Sequence, residues 1–159
     1  MTEQPFTHLD SSGHARMVDV TAKQPSVREA TASGRVVCGP LVVAALRSGG
    51  VPKGDVLAVA RIAGISAAKR TAELLPLAHV IGVHGVVVDL EITDEGVDIS
   101  ATVRTADRTG VEMEALTAVA VAALAVVDMV KGLDKSVRIA DVRLEAKSGG
   151  RSGDWRREG

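Results

Sequence analysis

Two charged residues interrupt the most apolar stretch of this chain. In EALTAVAVAALAVVDMVKG, residues 114–132, Asp128 and Lys131 follow a run from Leu116 to Val127 that is nearly bare of polar groups. Three positions apart on a helix, they share a face. Either they form a local ion pair, or the helix presents them for chemistry, since a lysine beside a carboxylate in Ala/Val surroundings suits proton transfer. Lost solvation lowers the lysine pKa toward neutrality, while the aspartate opposes that shift and orients the amine. A carboxylate near a helix C-terminus also sits at the unfavourable end of the macrodipole, so Asp128 needs a reason beyond helix chemistry. Glu112, Glu114 and Lys131 do not, because acids in a first turn and a lysine in a last turn match the dipole. Glu114 and Asp128 lie on nearly the same face, separated by ~21 Å along the axis. They can serve one site only if a second copy of the helix, running antiparallel, brings them together.

Cations form the second candidate group. Lys53 precedes Asp55, a helix N-cap candidate, and Arg61, Lys69 and Arg70 lie along the segment that follows. Lys147 stands immediately before SGGRSGD. A lysine beside a Gly/Ser loop offers a point charge and backbone N–H groups to a phosphate. KSGG is not a P-loop, which needs G-x-x-x-x-G-K-[ST] opening a helix, and a solvated cationic surface reads equally well from these residues alone. His79 and His84, in LPLAHVIGVHG, have no carboxylate or thiol beside them to complete a metal set. No serine has a G-x-S-x-G setting and no G-x-G-x-x-G opens a helix, which argues against a hydrolase triad and a dinucleotide cofactor.

Composition narrows the classes further. The 159 residues carry a net charge of -1, so no global basic field points to nucleic acid or an anionic membrane surface. Aromatics are 1% against 46% hydrophobic residues, so the core is Val, Ile, Leu and Ala, and base-stacking platforms are lacking. The single cysteine, Cys38, excludes an intrachain disulfide. The start lacks the apolar region of a secretory leader, and Asp128 and Lys131 interrupt the one run apolar enough to suggest a membrane span. A soluble cytoplasmic domain is expected.

The elements that must position these residues follow from periodicity. Residues 1–25 read as an irregular arm. SVREATASGRVVCG reads as a first strand, and PLVVAALRSGG as a short helix entered by Pro40 and closed at Gly49-Gly50. The segment from Val51 to Pro76 reads as helical, with Asp55 as N-cap and Gly64 as a break or a close packing contact. Val86, Val88, Leu90 and Ile92 alternate with Val87, Asp89, Glu91 and Thr93. Beyond Asp94-Glu95-Gly96, Val97, Ile99, Ala101 and Val103 alternate likewise, which predicts a β-hairpin with one buried face. A long helix spans about Gly110 to Lys131. The last strand is expected to turn Val142, Leu144 and Ala146 inward and Arg143, Glu145 and Lys147 outward, and 148–159 to be a flexible Gly/Ser/charged tail. The order strand, helices, hairpin, helix, strand predicts an α+β fold of ferredoxin-like, split βαβ type over residues 26–147, with helices packed on one face of an antiparallel sheet.

The blocks RMVDVTAK, KGDVLAVARIAGISAAKRTAELLPLAH, TGVEMEALTAVAVAAL, DMVK and RLEAKSGG together resemble the cyclic pyranopterin monophosphate synthases of molybdenum cofactor biosynthesis. The resemblance runs from about Leu9 to Asp154. It implies a ferredoxin-like hexamer built as a trimer of dimers, with the active site at the dimer interface. It also implies a lyase that converts 3′,8-cyclo-7,8-dihydro-GTP, made by an upstream radical GTP cyclase, to cyclic pyranopterin monophosphate with release of diphosphate. By this resemblance Asp128 and Lys131 are the catalytic pair, and Lys53 and Lys147 are pocket lysines. Leu77, Ala78 and His79 match a substrate-binding Leu-Cys-His segment, and Met113 and Glu114 a Met-Glu pair, with Glu112 beside them. A triphosphate needs several cations, for which Lys53, Lys69, Lys147 and Arg28 are the candidates. No resident cofactor is implied; Mg²⁺ is the ion that a triphosphate could bring with it. The chain departs from the family pattern at Ala78, usually cysteine, and Val80, usually proline. These departures leave a second expectation: a divergent, non-catalytic nucleotide- or anion-binding module on the same oligomeric scaffold.

Overall fold

A computed structural model describes residues 8–159, so the first seven residues of the expected arm lie outside the described residues. The hairpin stands where period-two alternation places it. Strand β2 (Gly85–Thr93) pairs antiparallel with β3 (Gly96–Asp107), from Gly85 opposite Arg104 to Thr93 opposite Gly96. Gly96 has φ 143° and lies against the Val36 carbonyl, where a Cβ would clash, so the turn requires glycine. Strand β1 (Ser26–Val37) pairs with β3 on one side and with β4 (Arg138–Ser148) on the other. With the two-residue β5 (Trp155–Arg156), the sheet order is β2-β3-β1-β4-β5 and every pairing is antiparallel.

The helices cover one face, as a ferredoxin-like fold requires. Helix α1 (Pro40–Ser48) begins with proline and ends at Gly49 in the left-handed conformation, φ 71°. Helix α2 (Val56–Lys69) is capped by the Asp55 carboxylate, which accepts from the Ala58 N–H at 3.1 Å. The expected helical segment breaks after Lys69; a single turn, α3 (Thr71–Leu74), follows and stops before Pro76. Helix α4 (Glu112–Val130) is the centre of the molecule. It buries Ala115, Ala118, Val119, Ala122, Ala123, Val126 and Val130 against α2 and the inward residues Ala30, Ala32, Val36, Val97, Ile99, Ala101 and Val103 of the sheet. Alanines let the helices approach closely, and Gly64 is the contact: a Cβ there would sit 3.0 Å from the Ala118 carbonyl and 3.3 Å from the Ala122 methyl. By length and composition α4 could cross a membrane, but its burial makes it the core helix of a soluble protein.

Strand β4 departs from the expected alternation. Ser33 pairs with Arg143 and Ala32 with Leu144, but Thr31 pairs with Ala146 and Ala30 with Lys147, so Glu145 bulges out of register. One extra residue reverses the facing of all that follow. Lys147, expected outward, therefore opposes buried Ala30 on the helix side, and Ala146, expected inward, opposes Thr31 on the open side. A second irregularity sets Asp141, at φ 56°, and Val142 against Gly34. The tail returns as β5, with Lys147 opposite Trp155. The face of the sheet away from the helices is polar. Arg35 lies there 3.9 Å from Glu95 and from Asp98 and 3.7 Å from Asp141.

Candidate functional site

The candidate residues gather at the two ends of α4. At its C-terminal end, Lys131 Nζ donates to Asp128 Oδ1 at 2.7 Å. Lys53, delivered by the loop before α2, donates to Asp128 Oδ2 at 3.3 Å and to the Asp128 carbonyl at 3.0 Å. Two ammonium groups thus offset the unfavourable placement of Asp128 at the negative end of the helix dipole. Lys131 and then Lys53, through hydrogen bonds and charge, hold the Asp128 carboxyl below its ordinary pKa. The apolar enclosure expected for Lys131 is not supplied by one chain, because the Lys131 side chain is 55% exposed and that of Asp128 58%. This cluster is an ionised, solvent-facing triad.

The N-terminal end of α4 faces a cavity of about 940 Å³. Leu77, Ala78, His79, Glu112, Met113 and Glu114 all line it. Glu112 and Glu114 are there because the first turn of a helix favours carboxylates, but Glu114 does more than match a dipole: it is 4% exposed. Burial pushes its carboxyl up to about 7, the charge of Glu112 adds to the shift, and a backbone hydrogen bond and His79 oppose it. His79 is carried by the irregular segment after Pro76, and its Nε2 lies at 2.5 Å from the Val18 carbonyl. That segment is tied down at Gly82, whose N–H donates to Asp107 Oδ2 at 2.9 Å and whose carbonyl accepts from Thr105 Oγ1. Ala78 presents a methyl where the family pattern has a thiol, so this wall offers no sulfur nucleophile.

Lys147 joins the same end because of the bulge in β4. Its ammonium lies 3.6 Å from Glu112 Oε1 and donates to Ser152 Oγ in the returning loop. Arg28 lies close by on β1. It lines a second cavity of about 570 Å³ with Lys23, Ser26, Gly150 and Arg151, and its Nε is buried with no hydrogen-bond partner among the described residues. An unpaired buried guanidinium N–H is suited to receive an anion. Lys69, in the last turn of α2, is exposed and is not among the residues lining the large cavity.

The structure adds residues not singled out from the sequence. Lys23 lines both cavities, and His8, Val18, Thr109 and Gly110 line the larger one. Lys23 stands in the quoted block RMVDVTAK, but it follows an irregular arm in which no period marks a face. Among the described residues, no group of three or more His, Cys, Asp or Glu side chains is placed to hold a metal ion. The one cysteine, Cys38, is buried away from these residues and burial pushes its thiol up, which suits packing more than reactivity.

The two ends of α4 are therefore chemically distinct. One holds ionised Asp128 between two lysines; the other holds a buried carboxyl, a histidine and a group of cations over an open cavity. Their separation, ~21 Å along a straight helix, keeps one small molecule from touching both within a chain.

The model of the MoaC family matches residues 17–150. A protein of Streptomyces griseus named cyclic pyranopterin monophosphate synthase is 62% identical over 156 residues, covering 98% of this chain and 88% of the relative. Similarly named proteins of Nocardioides sp. and Pelobacter propionicus are 60% and 54% identical. They cover 99% and 96% of this chain, and 99% and 97% of their own lengths.

Proposed function

The chain belongs to the MoaC family, and from that premise we propose that it is a cyclic pyranopterin monophosphate synthase, a cytoplasmic lyase. It takes 3′,8-cyclo-7,8-dihydro-GTP from an upstream radical GTP cyclase and forms cyclic pyranopterin monophosphate, releasing diphosphate. The identity to relatives of that name over nearly the whole chain favours this reading over a non-catalytic binding module.

One observation carries the proposal: Asp128 is fixed between Lys131 and Lys53 at the opposite end of the same helix from buried Glu114. A second copy running antiparallel would set the Asp128 cluster over the partner's cavity. Lys131 would then lose water and gain the apolar enclosure expected of a lysine that transfers protons. Asp128 orients the amine, and Lys53 holds Asp128 ionised. The assembly is a hexamer made of three such dimers.

Lys23, Arg28 and Lys147 converge at the cavity end and supply the cations that a triphosphate needs, with the unpartnered Arg28 Nε the clearest place for a phosphate oxygen. His79, Met113 and Glu114 lie against the purine-derived part. Glu114, titrating near 7, can hold or release a proton as the ring opens and the pyran closes. A sugar hydroxyl then attacks the α-phosphate, diphosphate leaves, and Mg²⁺ arriving with the triphosphate would neutralise its charge. No sulfur nucleophile acts at position 78.

The test supplies freshly prepared cyclised GTP intermediate to the purified protein and measures pterin product and diphosphate together. Wild type forms both in equal amounts, and Lys131→Ala forms neither while keeping its oligomeric state. Full turnover by Lys131→Ala would sink the assignment, and substrate binding without diphosphate release by the wild type would return the chain to the binding-module reading.

A further inference from the structure

Lys147 reaches Glu112 at the start of α4 only because β4 carries one residue too many at Glu145. On β1, Ala30 and Ala32 are buried toward the helices, while Thr31 and Ser33 alternate with them on the open side. Were the pairing from Ser33–Arg143 and Ala32–Leu144 continued without a break, Ala146 would oppose Ala30 and Lys147 would oppose Glu29 on the open face. That alternative is a real competitor, since a lysine opposite a glutamate is a favourable cross-strand pair. Something must hold the bulge.

The structure has two such restraints, one from β1 and one from the residue just after β5. From β1, Ser33 Oγ donates to Glu145 Oε1, which also accepts from Arg143 Nε at 2.7 Å. From the tail, the Arg157 N–H donates to the Glu145 carbonyl at 2.8 Å, and Arg157 Nε donates to the Leu144 carbonyl at 2.8 Å. One arginine thus satisfies two consecutive carbonyls at the bulge, which a regular partner strand would leave poorly paired. Its guanidinium lies 5.7 Å from the centroid of the Trp155 ring, and Trp155 is the residue that pairs with Lys147. The tail therefore grips β4 at the bulge and at the lysine.

We infer that Glu145 and Arg157 are positioning residues for Lys147: together they lock the β4 bulge that turns this lysine toward Glu112 at the start of α4, and the C-terminal segment is the strap that closes the lock. The functional half of this inference rests on the reading that Lys147 binds substrate. The register half does not.

The test uses the full-length chain as Arg157→Ala, Glu145→Ala and the conservative Arg157→Lys. The face of Lys147 is read by its rate of acetylation with an N-hydroxysuccinimide ester, followed by peptide mass spectrometry, with Lys135 as internal reference. Its side chain is 24% exposed in the locked register. Acetylation is expected to rise severalfold in both alanine variants and to return toward the wild-type rate in Arg157→Lys. An unchanged rate in the alanine variants, at preserved circular dichroism, overturns the lock. In turnover of the cyclised intermediate, Arg157→Ala and Lys147→Ala are each expected to lose activity, and the double variant to lose no more than Lys147→Ala alone. Losses that multiply overturn the claim that Arg157 acts through Lys147. Full activity of Lys147→Ala would remove Lys147 from the proposed site, and the acetylation rates would still decide the register.

Discussion

Glu114 couples the stability of the protein to its proposed chemistry through one proton. Its carboxyl is pushed up to about 7, first by burial and then by Glu112. A carboxyl whose pKa is higher folded than unfolded favours the fold while protonated. Its contribution is complete below the unfolded value near 4.5 and is lost as pH rises through about 7. Wild type should therefore lose stability between those limits, by up to about 3 kcal/mol from this group. Glu114→Gln, which cannot ionise, should flatten that part of the profile and melt higher than wild type at pH 8. Thermal unfolding across the range checks both, and an unaltered profile in Glu114→Gln would rule out the assignment. Asp128 behaves oppositely. Its two lysine partners are solvent-facing, and exposed ion pairs contribute little. Asp128→Asn should abolish turnover while leaving the unfolding midpoint nearly unchanged. The type and spacing of these residues were legible because charge on an apolar helix is conspicuous. The burial of Glu114 was not, since the cavity over it is built by the arm and the segment after Pro76, neither of which has a period to read.

Among the elements, the contact of α2 with α4 sets how the ends of α4 are presented, because α2 begins at Val56, three residues after Lys53. A Cβ at position 64 would sit 3.0 Å from the Ala118 carbonyl, which cannot move without bending α4. Gly64→Ala would gain about 1 kcal/mol of helix propensity and lose a similar amount to crowding, so it decides little. Gly64→Val adds bulk that propensity cannot offset, and should destabilise by about 2 kcal/mol, lowering the melting temperature by several degrees. A melting temperature equal to wild type would mean that the helices are not locked there. The elements differ in how far sequence reveals them. The hairpin, the Asp55 cap and the Pro40 and Gly49 boundaries depend on neighbours in the chain, and local chemistry specifies them. The bulge in β4 depends on what lies across the ladder. Its determinants are Ser33 on β1 and Arg157 just beyond β5, so the local alternation of VRLEAK points Lys147 to the wrong face. Strand β5 is hidden for a related reason: two residues within a Gly/Ser-rich tail carry no alternation, and they become a strand only against the edge of β4.

On the scale of the whole molecule, the decisive fact is that the proposed site is divided between the ends of one rigid helix. The outer side of the helical layer remains apolar: Met113 and Leu124 of α4 are 44% and 56% exposed, and Val59 and Ile62 of α2 are 45% and 68% exposed. A second copy laid antiparallel on that side would cover apolar surface that otherwise meets water, and would bring each Asp128 cluster to the partner's Glu114. This arrangement makes a prediction that no single-chain site can imitate. Glu114→Ala and Asp128→Ala chains should each be inactive alone. Co-expressed with different tags, half of the dimers would contain one chain of each kind. In such a dimer one site carries both substitutions and the other carries neither, so about a quarter of all sites are restored. Tandem affinity purification of hexamers carrying both tags, assayed with the cyclised GTP intermediate, should give about a quarter of the wild-type turnover. If both residues acted within one chain, every site in the mixed dimer would still lack one of them. Mixed dimers as inactive as their parents would therefore place the reaction inside the protomer and remove the reason for the antiparallel pair.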